Sequence, residues 1–379
     1  MSVFKGNEAE LVGRERGADR SLVAACANGF GKRTVLFVIA VAALAFTAVG
    51  GCAEAPWPQL KSIAWSPDSK HLLSGGYDGE VRVRDLATGK TTIVHRARTP
   101  FINTVQWSPD GQRLLAVTDQ TIELLDTHGK EIVVIVASPP LQHESFPVFE
   151  FPIQIAFSPT GERLAVAGWR DGRVLVVDAR SGQTERVFTD IPESVSSISW
   201  APNGKQLVAG ARDQTVRILD VEAGKEAGRM EVALSSGWVK VEASPDGKRL
   251  AWHGYLTDTW LRDIEKGSER RIVVQGGTQS VAWSPDGKGI AVLGLETLQL
   301  WNVEAGVEEK SLPVRRGVGE VLWSPDGQYV AAFSMFERGS IWNVRKGTHR
   351  TLPKVVSLAF SPDMRFIASG EEVKSFARF

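Results

Sequence analysis

The sequence is poor in cysteine, with only Cys26 and Cys52 among 379 residues. Two thiols are too few for a cysteine-based zinc site or a disulfide framework. The six histidines show no metal-ligand spacing, and no phosphate-binding loop, G-x-S-x-G motif or paired-acid motif stands out. From these absences we expect no metal, no cofactor and no catalysis.

The sequence also lacks an excess of either charge, since 44 Lys plus Arg residues balance 44 Asp plus Glu residues. A nucleic-acid-binding protein presents a basic surface to the phosphates, so we expect no nucleic-acid partner. Between residues 60 and 379, proline and glycine interrupt every segment before a ten-residue helical period can form. Helical repeats are therefore excluded for this part of the chain.

One long apolar run lies near the beginning of the sequence. The basic pair Lys32-Arg33 is followed by 16 uncharged residues, Thr34 to Val49, and then by Gly50-Gly51-Cys52. A basic pair, a short apolar run and small residues are the three parts of a secretory signal. The run is at the short end for a membrane span.

The segment Val49-Gly50-Gly51-Cys52 resembles the bacterial lipobox, in which an apolar residue and two small residues precede a cysteine. The resemblance implies cleavage before Cys52, lipidation of its thiol and acylation of the new N-terminus. More than one acyl chain gives stable membrane anchoring. Residues 1–51 are then the N-terminal extension and signal segment, and residues 52–59 are a linker.

This resemblance predicts a membrane-anchored protein on the periplasmic or extracytoplasmic face. The residue after the cysteine is Ala53 and not Asp, which favours the outer membrane. About thirty residues precede Lys32, which is long for a signal peptide. An uncleaved, single-pass signal anchor with a cytoplasmic tail is therefore the alternative.

The rest of the chain is built on a repeated turn. Residues 281–292 read VAWSPDGKGIAV, in which Ser-Pro-Asp-Gly fills the four positions of a type I β-turn between apolar strand formers. The turn recurs at intervals of 37 to 50 residues, and its first residues are Ser66, Ser108, Ser158, Ala201, Ser244, Ser284, Ser324 and Ser361. A period near 40 residues with several short strands per unit is typical of a β-propeller.

Two further positions repeat, and we interpret both as structural. An aromatic residue precedes most of the turns and is expected to pack between neighbouring units: Trp65, Trp107, Phe157, Trp200, Trp283, Trp323 and Phe360, with Ala243 as the exception. An Asp or Asn ends the third strand and is followed four residues later by glycine, as at Asp85, Asp178, Asp220, Asp263, Asn302 and Asn343. Such a pair forms a turn, so these carboxylates are not a catalytic series.

On these motifs, with Trp301-Asn302 and Trp342-Asn343 closing third strands, residues 60–379 resemble the WD-repeat β-propeller family. The resemblance implies an all-β ring of four-stranded antiparallel blades and a role as a docking platform. The family's Gly-His dipeptide is missing, and in this respect the chain leans toward the Ser-Pro-Asp-Gly propellers of bacterial envelopes. The eighth unit ends early, which predicts eight blades with the last incomplete; a seven-bladed ring with a tail is the alternative.

A long connection separates the second and third units. Residues 138–152 carry Phe146, Phe149 and Phe151 and join an outer strand to the next inner strand. The turns between second and third strands lie on the same face and offer aromatic and arginine side chains: Tyr77, Trp169, Arg170, Arg212, Tyr255, Phe336 and Arg338. These residue types dominate binding hot spots. We predict a protein-binding face centred on this Phe-rich loop; the alternative is that the three Phe form a local cap over the blades.

A second candidate site is the mouth of the channel. Three residues before each repeated aromatic position stands a polar residue, and Gln154, Lys240 and Glu320 are the largest of them. They are either solvated strand starts or a polar pocket for a small ligand. The sequence as a whole predicts a lipid-anchored envelope propeller that acts as a protein–protein interaction scaffold without catalysis. The alternative is a small-ligand-binding or enzymatic propeller that uses the channel mouth, and a third possibility is a tailed membrane protein with an accessory propeller.

Overall fold

Short runs of β-branched and aromatic residues between Pro, Asp and Gly turns form the strands of this protein. The computed structural model describes residues 60–118, 120–136, 154–168, 172–232, 234, 237–317, 319–334, 337–370 and 372–376. Several predicted features lie outside the described residues: the signal segment with Cys52, the Phe-rich loop with Phe146, Phe149 and Phe151, and Trp169, Arg170 and Phe336. Within the part that is described, no helix has the length and apolarity needed to cross a membrane.

The first four blades are four-stranded antiparallel sheets whose strands lie side by side in chain order. Their strands are β1 Leu60–Trp65, β2 His71–Gly76, β3 Glu80–Asp85, β4 Thr91–Arg96, β5 Ile102–Trp107, β6 Arg113–Thr118, β7 Thr121–Asp126, β8 Glu131–Val136, β9 Gln154–Phe157, β10 Arg163–Ala167, β11 Val174–Asp178, β12 Thr184–Phe188, β13 Val195–Trp200, β14 Gln206–Ala211, β15 Thr215–Asp220 and β16 Lys225–Glu231.

Blades 5 to 7 repeat this arrangement, and blade 8 has three strands among the described residues. Their strands are β17 Lys240–Ala243, β18 Arg249–His253, β19 Thr259–Asp263, β20 Glu269–Ile272, β21 Ser280–Trp283, β22 Gly289–Leu293, β23 Thr297–Asn302, β24 Val307–Pro313, β25 Glu320–Trp323, β26 Tyr329–Phe333, β27 Ser340–Asn343, β28 His349–Thr351, β29 Leu358–Phe360, β30 Phe366–Ser369 and β31 Glu372–Ser375. The prediction of an eight-bladed all-β propeller is confirmed.

The hydrophobic core is distributed around the ring. Each pair of consecutive blades shares a cluster of buried apolar side chains, as between blades 1 and 2 and between blades 6 and 7. A cluster of the same kind joins blade 8 to blade 1, where Trp65 stacks on Phe366 with ring centroids 6.1 Å apart. The ring therefore closes through side-chain packing between its first and last blades.

The repeated aromatic residues connect neighbouring blades by hydrogen bonds as well as by packing. Each of three indole N–H groups donates to a carbonyl oxygen on the inner strand of the preceding blade: Trp65 to Ala359 at 3.1 Å, Trp200 to Ala156 at 2.9 Å and Trp323 to Ala282 at 3.0 Å. Indole combines a large apolar surface with one donor. In blade 5, where Ala243 replaces the aromatic residue, the buried Trp252 packs in the same cluster as Ala243 and stacks on Trp260.

The Ser-Pro-Asp-Gly turns satisfy their own polar groups. In blade 7, the Ser324 hydroxyl donates to Asp326 Oδ1 at 2.6 Å and accepts the backbone N–H of Tyr329 at 2.9 Å. Asp326 Oδ1 also accepts the backbone N–H of Gln328 at 3.0 Å. Gly327 has a φ of 69°, a conformation that favours glycine. The repeated residues are thus used within the turn itself.

Candidate functional site: the loop face of the propeller

The connections of the propeller fall on two faces. The Ser-Pro-Asp-Gly turns and the turns between third and outer strands lie on one face, which we call the turn face. The turns between second and third strands and the connections from each outer strand to the next inner strand lie on the opposite face, which we call the loop face. This division follows from the antiparallel order of strands in every blade.

On the loop face, the two kinds of connection are joined by a backbone hydrogen bond. The residue after an outer strand donates its N–H to a carbonyl in the turn between second and third strands of the same blade: Ala97 to Gly79 at 2.8 Å, Val232 to Gln214 at 2.8 Å, Val314 to Glu296 at 2.9 Å and Leu352 to Gly339 at 2.8 Å. Side chains from the two connections are therefore brought together at these four blades.

Several of the predicted binding residues lie exposed at these contacts. Tyr77 is 40% exposed and makes an edge contact with Phe101, which is 46% exposed, at a centroid distance of 5.9 Å. The Arg212 guanidinium lies 5.8 Å from the centre of the Trp238 ring, within the range of a cation–π contact. Tyr255 is 57% exposed. Sequence reasoning did not assign Phe101 or Trp238 to the binding face, although both precede an inner strand as the Phe-rich loop does.

Arg338 lines a cleft between blades 6 and 7, with a volume of about 230 Å³. Blade 6 forms one wall with the end of β24 and the residues after it. Blade 7 forms the other wall with β26, β27, β28 and the turn before β27. The lining residues are Pro313, Val314, Arg315, Ala332, Arg338, Gly339, Ser340, Trp342, His349 and Thr351. The predicted residues Tyr77, Arg212, Tyr255 and Arg338 thus share a face but belong to four different blades.

The junction between blades 1 and 2 holds a buried ionic cluster that sequence reasoning missed. The fully buried Glu123 accepts hydrogen bonds from Thr121 Oγ1 at 2.8 Å and the Arg98 backbone N–H at 3.0 Å. Its other oxygen lies 2.7 Å from His95 Nε2. Arg98 Nη2 donates to Glu131 Oε2 at 2.7 Å. The sequence signal was Glu123, a charged residue between the apolar residues Ile122 and Leu124 of the strand TIELLD.

His95, Glu123 and Glu131 are spaced as metal ligands could be, since their candidate ligand atoms all lie within 4.8 Å of one another. Their polar atoms already have protein partners, because Arg98 reaches both carboxylates and His95 lies against Glu123. The arrangement satisfies the charges of its own members. It is therefore described most simply as an ion-pair cluster that holds two blades together.

At the channel mouth, the polar residues have two different environments. The hydroxyl oxygens of three serines accept backbone N–H groups from the next inner strand: Ser62 from Val105 at 3.1 Å, Ser197 from Val241 at 2.9 Å and Ser357 from Ile63 at 3.3 Å. These serines hold blades together. Lys240 and Glu320 are exposed and Gln154 is half-buried.

Two titratable groups near Lys240 were missed by sequence reasoning. Burial raises the pKa of the half-buried Glu242 to about 7, with the nearby Glu320 adding to the rise and Lys240 opposing it. Burial also lowers the pKa of His253 to about 4, and Lys240, which faces His253 across the strand pair, contributes to the lowering. His253 Nδ1 lies 2.9 Å from the Gly254 carbonyl oxygen, whereas its buried Nε2 has no hydrogen-bond partner among the described residues.

Comparison with known proteins finds similarity to WD40 repeats in parts of this chain. The family described as "WD domain, G-beta repeat" matches residues 57–85 and 89–126, and the "Anaphase-promoting complex subunit 4 WD40 domain" matches residues 186–241. Periodic tryptophan protein 2 of Arabidopsis thaliana is 24% identical over 195 residues, which is 51% of this chain and 20% of that protein. The chain thus spans about a fifth of that relative's length.

Two shorter relatives are matched over a larger share of their length. The serine-threonine kinase receptor-associated protein of Gallus gallus is 24% identical over 45% of this chain and 57% of that protein. Eukaryotic translation initiation factor 3 subunit I of Botryotinia fuckeliana is 25% identical over 56% of this chain and 57% of that protein. Among solved structures, a chain of hydrazine synthase from Kuenenia stuttgartiensis superposes with a TM-score of 0.55 at 18% identity, over 81% of this chain and 99% of that one. This likeness concerns the fold alone.

Proposed function

We propose that this WD-repeat β-propeller is a protein–protein interaction scaffold whose partner binds the loop face, without catalysis. One observation carries the proposal: the aromatic side chains that differ from blade to blade lie exposed on this face. Tyr77, Phe101 and Tyr255 are each 40% exposed or more. Exposed aromatic and arginine side chains are the residues that dominate the energy of protein interfaces.

The Phe-rich loop is the proposed centre of this surface. It lies between β8 and β9, and 17 residues separate these strands, whereas the equivalent described connections contain five to eight residues. An unusually long connection between secondary-structure elements is often a binding loop. The relatives support the same class of function, because the name of one describes a receptor-associated protein and that of another a subunit.

A crosslinking pull-down from native membranes tests the scaffold. The wild-type chain is compared with a variant in which Phe146, Phe149 and Phe151 are changed to Ser, and we expect a captured partner to be lost. The matched control changes three exposed apolar residues of outer strands, Ile93, Val187 and Val307, to Ser. Equal loss with both variants, or no captured protein with the wild type, would count against the scaffold.

We propose in addition that Cys52 anchors the propeller to a bacterial envelope through lipid. The support is the lipobox-like segment Val49-Gly50-Gly51-Cys52 behind an uncharged run. Labelling a bacterial expression host with an alkyne fatty acid should tag the wild-type chain and the Cys26→Ser control, but not Cys52→Ser. A label that persists in Cys52→Ser contradicts lipidation there. An unlabelled chain that keeps its first 51 residues and stays in the membrane fraction supports the signal anchor instead.

A second candidate function is binding of a small ligand at the channel mouth. The observation in its favour is the group formed by Lys240, Glu242, Glu320 and His253, in which burial shifts the pKa of both Glu242 and His253. Perturbed titratable groups that cluster in a concave place are candidates for a functional site. A thermal-shift screen of small charged metabolites, run on the wild type and on Glu242→Gln, tests it. A ligand that stabilises only the wild type supports the channel site.

A further inference from the structure

The junctions between blades 1 and 2 and between blades 6 and 7 occupy the same place in the repeat. In both, the first residue after the outer strand donates its N–H to a turn of its own blade: Ala97 in blade 1 and Val314 in blade 6. The next residue is an arginine in both cases, Arg98 and Arg315. At the first of these junctions, blade 2 supplies two carboxylates to this arginine. Glu123 accepts the Arg98 backbone N–H and Glu131 accepts its guanidinium.

Blade 7 supplies no carboxylate at the corresponding positions. Glu123 stands three residues before Asp126, the last residue of its strand, and Ser340 stands three residues before Asn343. Glu131 pairs with the residue before Asp126, and His349 pairs with the residue before Asn343. A hydroxyl and an imidazole therefore replace the two acids, and the space beside them is the cleft of about 230 Å³.

The cleft is cationic, and no described residue provides a counter-ion. Arg315 and Arg338 both line it, and neither forms an ion pair or a hydrogen bond with another described residue. The adjacent Glu337 directs its side chain toward Gly317, where an added Cβ would lie 3.3 Å from Glu337 Cγ. Arg316, next to Arg315, is already paired with Glu296. Two guanidinium groups thus remain available to a ligand.

We propose that this cleft binds a carboxylate side chain of an acidic peptide segment, in the position that Glu123 and Glu131 occupy between blades 1 and 2. Arginine binds carboxylate through paired hydrogen bonds of fixed geometry. The volume is below that of most ligand pockets, so it suits one or two side chains and not a large ligand. Pro313, Val314 and Trp342 provide apolar walls for the methylene groups of glutamate.

This inference rests on the proposed scaffold function and names the chemistry of the partner. Its test uses the purified full chain and a fluorescein-labelled hexaglutamate peptide, followed by fluorescence polarisation. We expect saturable binding that hexaglutamine does not show. The double change Arg315→Gln and Arg338→Gln should weaken binding by tenfold or more, whereas the control Arg316→Gln should change it by less than threefold. Absence of binding to the wild type, or an equal effect of the control, overturns the inference.

A second pair of variants tests the comparison between the two junctions directly. Ser340→Glu places a carboxylate where blade 2 has Glu123 and should abolish peptide binding while leaving the melting temperature unchanged or raised. Ser340→Gln has the same size without the charge and should bind the peptide as the wild type does. Wild-type affinity in a folded Ser340→Glu variant overturns the proposed position of the ligand.

Inorganic phosphate serves as the competing anion. Phosphate also weakens peptide binding by raising the ionic strength. If it displaces hexaglutamate from the wild type and from the Arg316→Gln control only at the same high concentrations, the carboxylate assignment stands. If phosphate binds through Arg315 and Arg338 while hexaglutamate does not, the assignment is wrong. These results do not depend on the pull-down: a partner lost from the Phe-rich loop variant but retained by the Arg315 and Arg338 variant supports the scaffold and removes the cleft from it.

Discussion

The two faces of the propeller differ in how they use their polar and aromatic side chains. On the turn face, each Ser-Pro-Asp-Gly turn bonds to itself, as when Ser284 donates to Asp286 and Asp286 accepts the Lys288 backbone N–H. On the loop face, Tyr77 and Tyr255 lie exposed, and Arg338 lines a cleft in which it has no counter-ion from the described part of the chain. The repeated residues maintain the fold, and the exposed residues proposed for binding are among those that vary from blade to blade.

The electrostatics of the turn face support this division. The Ser66 hydroxyl and the Lys70 backbone N–H hold the pKa of Asp68 below its ordinary value. The Ser284 hydroxyl and the Lys288 backbone N–H do the same for Asp286. A carboxylate with a lowered pKa stabilises the folded state above its unfolded pKa, and this contribution is lost as the pH falls through the folded value. The turn face therefore contributes to the acid sensitivity of the fold.

The largest effect is expected within the turn face itself, at Asp110. Its carboxylate accepts the Ser108 hydroxyl and pairs at 2.7 Å with the guanidinium of Arg113, which is only 6% exposed. Asp110→Ala leaves a buried guanidinium without its counter-ion, so we expect a loss of about 2–4 kcal/mol in unfolding free energy. The control Asp286→Ala removes the same turn bonds without an arginine partner and should cost about 1 kcal/mol. Urea denaturation measures both; equal losses would mean that the arginine pair adds nothing.

A smaller effect is expected on the channel wall, which belongs to neither face. Because burial raises the pKa of Glu242 from 4.5 to about 7, the folded state holds this proton more tightly than the unfolded state does. The resulting stabilisation is complete below pH 4.5 and is lost as the pH rises from 4.5 to 7. Glu242→Gln should therefore gain about 1–3 kcal/mol over the wild type near pH 8. Near pH 4 the two proteins should have similar stability.

Unfolding free energies of the wild type and Glu242→Gln at several pH values check this prediction. A difference that does not change with pH would contradict the raised pKa. His253 acts in the opposite direction, because its pKa is lowered from 6.5 to about 4. Its contribution is present above pH 6.5 and is lost as the pH falls toward 4, so the pH series should extend through both ranges.

The smallest effect on stability is expected on the loop face. Tyr77 is 40% exposed and touches Phe101, which is 46% exposed. Tyr77→Ser should therefore change the unfolding free energy by less than about 1 kcal/mol. The same change should weaken a loop-face partner, because exposed aromatic residues contribute most to interface energy. If Tyr77→Ser instead lowers the unfolding free energy by several kcal/mol in thermal or urea denaturation, Tyr77 belongs to the core. The proposed difference between the two faces would then be weakened.

Much of the fold could be predicted because the same turn and strand residues recur in nearly every unit. The Ser-Pro-Asp-Gly turn has one favourable geometry, and the aromatic residue before it packs between blades, as Trp200 and Trp323 do. Eight such units predicted the eight blades, the last of which has three strands among the described residues. Ring closure by packing of Trp65 on Phe366 was not predicted, because it joins residues at opposite ends of the repeat array.

The candidate site was less predictable, because its members come together from neighbouring blades. Arg338 was expected to lie on the binding face, but the cleft that it lines with Arg315 depends on how blades 6 and 7 pack. Glu123 and His95 are 28 residues apart and meet only when blades 1 and 2 are adjacent. The position of a residue in the repeat predicts the face on which it lies. Its contacts with residues of the next blade depend on how the blades pack in the ring.

The most direct test of the division between the faces measures stability and partner capture on the same two sets of variants. One set changes the turn-face hydroxyls Ser244, Ser284 and Ser324 to Ala, and the other changes the loop-face residues Tyr77, Arg212 and Arg338 to Ser. We predict that the turn-face set lowers the melting temperature but keeps partner capture per folded molecule. The loop-face set should keep the melting temperature and lose capture. The reverse pattern, or loss of both properties in both sets, would contradict the division.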